Sequence, residues 1–260
     1  LTGGVFMNSV LNGKIYNSKI FKNVFIPFAP DDSGNSIGAS IWNEKNKKQF
    51  KNLTPYLGRS FSNKDIKKIL ELNKINYKTI TNVDIDCAEE LVKNKIVCWF
   101  QGKSEFGQRA LGNRSILANP KDPNMKDKIN KYVKFREEFR PFAGSIIESE
   151  ANKYFISPKE IISPYMEKVF ICKNKYINQI PAIIHVDNST RIQTVNSKQN
   201  KLYYNLINNF NKITGVPIIL NTSFNVNNEP IVDNPIDAIR TFFSCGADIL
   251  YIGNCKITKQ

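Results

Sequence analysis

The sequence holds a single histidine, His185, and no pair of cysteines spaced as CxxC. Those two scarcities exclude a zinc ribbon and any multi-histidine metal centre built within this stretch. The five cysteines (Cys87, Cys98, Cys172, Cys245 and Cys255) are scattered and odd in number. They do not form a disulfide framework, and a reducing, cytoplasmic setting is expected. No apolar run approaches the roughly 18 residues of a membrane span, and no signal peptide is recognisable. No internal repeat is visible. An initiating methionine is absent too: "LTGGVFMNSVLNGKI" opens as if inside a domain, which predicts a fragment of a longer protein. Acidic residues are few beside basic ones, 23 against 37, for a net charge of +14. That balance has two readings: an anionic partner (nucleic acid, a membrane surface or a phosphorylated small molecule) or a solvated lysine-rich face.

Apolar residues make up 41% of the 260, enough for a sizeable core in one large domain or two small ones. "GGVFMN" reads as a tight turn feeding a short helix, and Val24 to Phe28 as a short strand. "DDSGNSIGASIW" reads as an acidic, glycine-bearing loop opening a helix. The polar, basic stretch that follows is placed as a linker, residues 46–61. Ser62 and Asp65 resemble a capping box ahead of Ile66, Ile69 and Leu70 at helical spacing. A second helix is expected over roughly Cys87 to Lys93, and "KIVCWF" as a compact strand. Asp122-Pro123 starts a helix with Met125, Ile129, Tyr132 and Val133 on one apolar stripe. "PFAGSII", "KVFICK", "VPIIL" and "DILYIG" read as strands. A helix over Asn200 to Lys212 turns Leu202, Leu206, Ile207 and Phe210 inward and stops at Gly215, and Asn234-Pro235 opens another. The alternation predicts an α/β (α+β) domain.

"EFGQRALGNRS", Glu105 to Ser115, is a poor core strand and a poor amphipathic helix. It sets two arginines on a glycine-jointed loop. "KFREEFRPF" follows, where Lys134, Arg136 and Arg140 alternate with Phe135, Phe139 and Phe142. If extended, it puts Lys134 and Arg136 on one face and a phenylalanine anchor on the other. Arginine forks and a lysine ammonium suit phosphate or carboxylate oxygens. With Arg109 and Arg114 there are five cations, which suits a triphosphate or two phosphorylated ligands. Surface ion pairs with Glu137 and Glu138 are the other reading. "NTSFN", Asn221 to Asn225, supplies hydroxyl and amide groups at a strand end, for a ligand or for an ordinary turn. His185 in "HVDNSTR" has a structural or a functional reading.

Taken in order, "FQGKSEFGQRALGNRSILANP", "KFREEFRPFAGSI", "HVDNSTRIQTV" and "TGVPIILNTSFNVNNEPIV" resemble the C-terminal half of the nodulation-type O-carbamoyltransferases. The resemblance covers essentially the whole chain. It implies the tail of an actin-like ATPase-fold domain over 1–45, the linker, and a YrdC-like domain with a mixed twisted sheet over 62–260. It also implies a carbamoyltransferase that joins ATP and carbamoyl phosphate into carbamoyladenylate, then passes the carbamoyl group to an acceptor hydroxyl with a bound metal, Mg or Fe. Residue by residue, Lys134, Arg136 and Arg140 match the family's phosphate-binding motif as the catalytic cations. Arg109, Asn113 and Arg114 match its "RALGNRS" element, Arg191 the end of its histidine motif, and Ser223 and Asn225 its SxN element. Gly4 and Asn8 match the nucleotide-side turn of the actin-like domain, and Asp32 its metal-binding aspartate.

The departures are Gln108 where the family has proline, Lys103 where it has arginine, Asn188 for glycine and Gly144 for proline. The family's HxxH motif is absent, so the metal site is incomplete as given, and the upstream half of the actin-like domain is an expected partner. A homodimer is left open. No membrane and no nucleic acid are expected as partners. Two rival functions stand beside this one: a threonylcarbamoyladenylate-type synthase, and a non-catalytic basic RNA-binding module.

Overall fold

The computed structural model describes residues 1–42 and 53–259. The linker expected over 46–61 therefore lies partly outside the described residues. The described helices are α1 (Ser9–Asn17), α2 (Asn35–Trp42), α3 (Asn63–Leu72), α4 (Val83–Val92), α5 (Met125–Lys128), α6 (Ala151–Tyr154), α7 (Asn174–Ile177), α8 (Lys201–Thr214) and α9 (Pro235–Ser244). The strands are β1 (Lys78–Thr79), β2 (Val97–Phe100), β3 (Arg114–Ala118), β4 (Ala143–Ile147), β5 (Phe155–Ile156), β6 (Lys168–Cys172), β7 (Ser189–Val195), β8 (Ile218–Ser223), β9 (Ile249–Ile252) and β10 (Cys255–Thr258). All ten join one mixed sheet in the order β1-β10-β9-β2-β3-β8-β4-β7-β6-β5. The pairs β2/β9 and β4/β7 are parallel and the others antiparallel. The α/β class expected from the alternation is the one observed.

Local signals explain the helices. Ser62 caps α3 by accepting the Asp65 N–H at 3.1 Å, and Ile66 and Leu70 are buried. Asn200 caps α8 through the Tyr203 N–H, and Gly215 ends it in the left-handed region at φ 72°. Asn234 caps α9, with Pro235 in its first turn. Every residue of β2 is buried, so both faces of the sheet are covered there. Successive side chains point to opposite faces. Trp99 donates its indole N–H to the Gly112 carbonyl, against which Tyr203 of α8 lies. Cys98 turns the other way, to Cys245 at the end of α9.

Strand register assembles one end of the sheet. Phe100 pairs with Arg114 and with Ile252, Ser115 with Ser223, Ala143 with Asn221, and Gly144 with Ile192. The last residues of β2, β8 and β9 thus meet the first of β3, β4 and β7. Residues 1–42 lie along β6: the Tyr16 ring meets Phe170 edge-on at 5.8 Å, and Asn12 donates to the Glu167 carbonyl at 2.9 Å. Any Cβ at position 13 would come within 2.5 Å of the Val169 carbonyl oxygen, so glycine permits that close approach.

Several expectations are corrected. Val24 to Phe28 is not a strand: no ladder forms, and Pro27 has no N–H to offer one. Tyr132 is exposed, while Met125, Ile129 and Val133 are buried, because the chain widens from α5 into a π-helical turn, Ile129–Lys134, that shifts position 132 off the α-helical stripe. The "KFREEFRPF" segment is not extended. It leaves the π-helical turn through Phe135 in the left-handed conformation, φ 48° and ψ 50°. Consequently Phe135 and Phe139 are exposed, and among the three phenylalanines only Phe142 is a buried anchor.

Candidate active site

The loop between β2 and β3 is built on Glu105. One carboxylate oxygen accepts the N–H groups of Leu111 (2.7 Å), Asn113 (2.8 Å) and Arg114 (3.3 Å). Burial pushes this carboxyl above its usual range, and the three N–H donors pull it back. Gly107 and Gly112, at φ 106° and 102°, supply left-handed corners. An added Cβ at Gly112 would meet the Tyr203 ring at 2.3 Å. Beneath the loop lies a buried polar layer: Ser145 donates to Gln193, Asn221 donates to both, and Gln193 donates to the Leu111 carbonyl.

The two arginines of the loop do different things. Arg114 has no exposed surface; its guanidinium donates to the carbonyls of Gln101, Asn113, Arg59 and Gly102 at 2.7–3.2 Å and lies 3.6 Å from the Phe100 ring centroid. Desolvation lowers it to about 10. Asn113 is equally committed, donating to the Lys103 carbonyl and accepting from Asn200. Both act within the fold, although Arg114 also borders a cleft of about 440 Å³ lined by Glu105, Gln108, Ser223, Asn225 and Glu229. Arg109 projects instead toward the N-terminal segment, where it donates to the Met7 carbonyl at 3.2 Å.

Arg191, at the start of β7, faces Arg109 and Arg136. Burial first, then those two charges, hold its guanidinium down to about 9. Its Nε is buried with no hydrogen-bond partner, and no ion pair engages it among the described residues. Arg136 donates to the Asn130 side chain at 2.8 Å and lies 4.8 Å over the Phe142 ring. Arg140 is more exposed and is paired with Glu137 at 2.8 Å. The ion-pair reading thus holds for Arg140, and Arg109, Arg136 and Arg191 have no carboxylate partner among the described residues. Three half-buried cations, with Arg191 repelled by both of the others, form a site that an anion would stabilise. Lys134 sits beside them at the end of β8, bonded to Ser223 and Asn225.

The remaining residues fall elsewhere. Asn8 caps α1, accepting the N–H groups of Val10 and Leu11, and Gly4 opens the preceding turn. They reach the arginines only through the neighbouring Met7 carbonyl. Asp32 lies exposed in a 3-10 turn, and its neighbour Asp31 is occupied by Ser33 and by Gln108. Among the described residues no three His, Cys, Asp or Glu side chains converge as metal ligands. The residues present therefore do not fit a resident metal. His185 is a turn residue, within 3.2 Å of the Phe142 carbonyl and of the Ser189 hydroxyl. Asn188 takes the left-handed conformation at φ 59°. Glu105 and Asn130 are functional supports that a search for cations passes over. Their sequence signals are a lone acid before a glycine-jointed loop and an amide six residues before the arginine it holds.

The family profile described as Carbamoyltransferase C-terminus matches residues 88–259, and that described as Carbamoyltransferase N-terminus matches residues 1–41. Nodulation protein NolNO of Sinorhizobium fredii is 41% identical over all of this chain and 39% of its own length. Nodulation protein NolO of Bradyrhizobium diazoefficiens is 39% identical over all of this chain and 49% of its own length. The chain spans half or less of the length of these relatives. Among solved structures, a full-length HypF in its phosphate- and nucleotide-bound form aligns over 68% of this chain and 26% of its own, with TM-score 0.47 and 20% identity.

Proposed function

Because the chain belongs to the carbamoyltransferase family, we propose that it carries the adenylate-forming half of such an enzyme, joining ATP and carbamoyl phosphate into carbamoyladenylate for transfer to a hydroxyl acceptor. The observation that carries this reading is the convergence of Arg109 and Arg136 on Arg191, none of the three in an ion pair among the described residues. Water first cleaves carbamoyl phosphate to carbamate and phosphate, and a carbamate oxygen then bonds to the α-phosphorus of ATP as pyrophosphate leaves. Negative charge spreads over phosphate oxygens throughout, and fixed cations in a partly desolvated site stabilise it without reorganising.

Transfer to the acceptor is assigned to residues this chain does not assemble. Asp32 has no companion ligands among the described residues, so no step is routed through a metal here. Calorimetry tests the assignment. Arg136→Ala removes one charge-assisted contact and should weaken ATP binding by roughly 1.5–3 kcal/mol, about 10- to 150-fold. Unchanged ATP affinity would refute it.

The exposed Phe135 and Phe139 beside these cations remove the objection to the RNA-binding reading that buried anchors would have raised. That reading requires affinity for single-stranded RNA that collapses between low and moderate salt and is indifferent to ATP.

A further inference from the structure

Lys134 is 3% exposed. Its ammonium lies 2.5 Å from the Ser223 carbonyl, 3.3 Å from the Ser223 hydroxyl, 2.9 Å from the Asn225 carbonyl and 2.7 Å from the Asn225 side-chain oxygen. An ammonium has three protons and no acceptor. Four protein oxygens compete for them, so none remains for a ligand. The acceptors are themselves tied together: the Ser223 hydroxyl donates to the Asn225 side-chain oxygen at 2.6 Å, and the Asn225 amide donates to the Glu229 carbonyl at 2.7 Å. The backbone enforces the division. Phe135 is held in the left-handed region, an uncommon conformation for a bulky residue, which turns Lys134 inward and leaves Arg136 to Asn130 and Phe142.

We propose that Lys134 is a positioning residue that clamps the Ser223–Asn225 turn under the anion site, and that Arg109, Arg136 and Arg191 make the anion contacts. The identity of the anion rests on the nucleotide reading above; the clamp does not. The groups facing Lys134 are Cys98 from β2, Cys245 from the end of α9, and Arg136 from its own loop. No carboxylate acts on it. Burial, then Arg136, hold the ammonium down to about 7. A state in which the turn opens and Lys134 meets water returns to the ordinary 10.5, so opening takes up a proton and is disfavoured as pH rises above about 7.

The test uses the ligand-free chain and hydrogen exchange. Lys134→Met should speed exchange at the amides of residues 224–232 by tenfold or more, and Arg136→Ala should leave them unchanged. In the wild-type chain, exchange there, corrected for its intrinsic pH dependence, should fall between pH 6 and 9. This second measurement stands even where Lys134→Met does not fold. Inorganic triphosphate titrated into both variants completes the comparison. Arg136→Ala should lose tenfold or more in affinity at a fixed pH of 7, while Lys134→Met, which removes no anion contact, should lose less. Unchanged exchange in Lys134→Met, or a flat wild-type exchange profile, would overturn the clamp. A chain whose exchange behaves as expected but which binds neither ATP nor triphosphate would refute the nucleotide reading and leave the clamp standing.

Discussion

Arg114, fully buried, and Arg191, half-buried at the start of β7, show how chemistry divides at the scale of the residue. Both keep a buried Nε without a partner, but Arg114 spends its two terminal nitrogens on four backbone carbonyls, whereas no ion pair engages Arg191 among the described residues. The first holds the loop and the second waits on a ligand. Arg114→Ala should therefore destabilise the fold by about 2–6 kcal/mol, since the Gln101 and Gly102 carbonyls lose their donor at about 1–3 kcal/mol each, while those of Asn113 and Arg59 keep the backbone N–H groups of Gln101 and Ser104. Urea denaturation measures it, and a change under about 1 kcal/mol would contradict the role. Lys134 adds a pH signature. Its folded-state value of about 7 lies below the ordinary 10.5, so between those values the unfolded chain binds more protons than the folded one. Stability contributed by this group rises with pH across that window. Comparing urea midpoints of the wild-type chain and Lys134→Met over that window isolates the term, and equal slopes would contradict the lowered value. No sequence pattern distinguishes these arginines, because burial is decided by partners far along the chain.

Elements with local signals were readable. Ser62, Asn200, Asn234 and Gly215 mark helix ends by their own hydrogen-bonding chemistry, and "KIVCWF" and "VPIIL" are apolar enough to declare buried strands. β3 and β7 were not read as strands, because Arg114, Ser115, Thr190, Gln193 and Thr194 are buried polar residues that break the apolar pattern. Their partners lie across the sheet, which the sequence does not order. The "KFREEFRPF" segment failed for another reason: alternation suggested an extended chain, and a left-handed Phe135 overrides any periodicity. Of the candidate site, the residue types were legible from the motifs, and their division into holders and free cations was not. Gly112 tests the element directly. At φ 102° and against Tyr203, Gly112→Ala should cost about 1–3 kcal/mol, read as a lowered urea midpoint. An unchanged midpoint would mean the corner is not under that constraint.

Across the whole molecule, one end of the ten-stranded sheet collects residues from positions 7, 109, 136, 191 and 225, with β8 placed centrally between β3 and β4. The N-terminal segment joins through Arg109 and the Met7 carbonyl, so the two family profiles meet at the charge cluster rather than on separate bodies. The cluster is complete within residues 109–225, and the metal ligands are not assembled among the described residues. On the proposed function the two half-reactions are therefore separable. The measurement that tests it most directly is pyrophosphate release by the folded chain given ATP, carbamoyl phosphate or both, with carbamoylated acceptor assayed alongside. Pyrophosphate that requires both substrates, with no acceptor product, is the predicted result. No pyrophosphate from a folded chain that binds ATP, or acceptor carbamoylation by this chain alone, would contradict it.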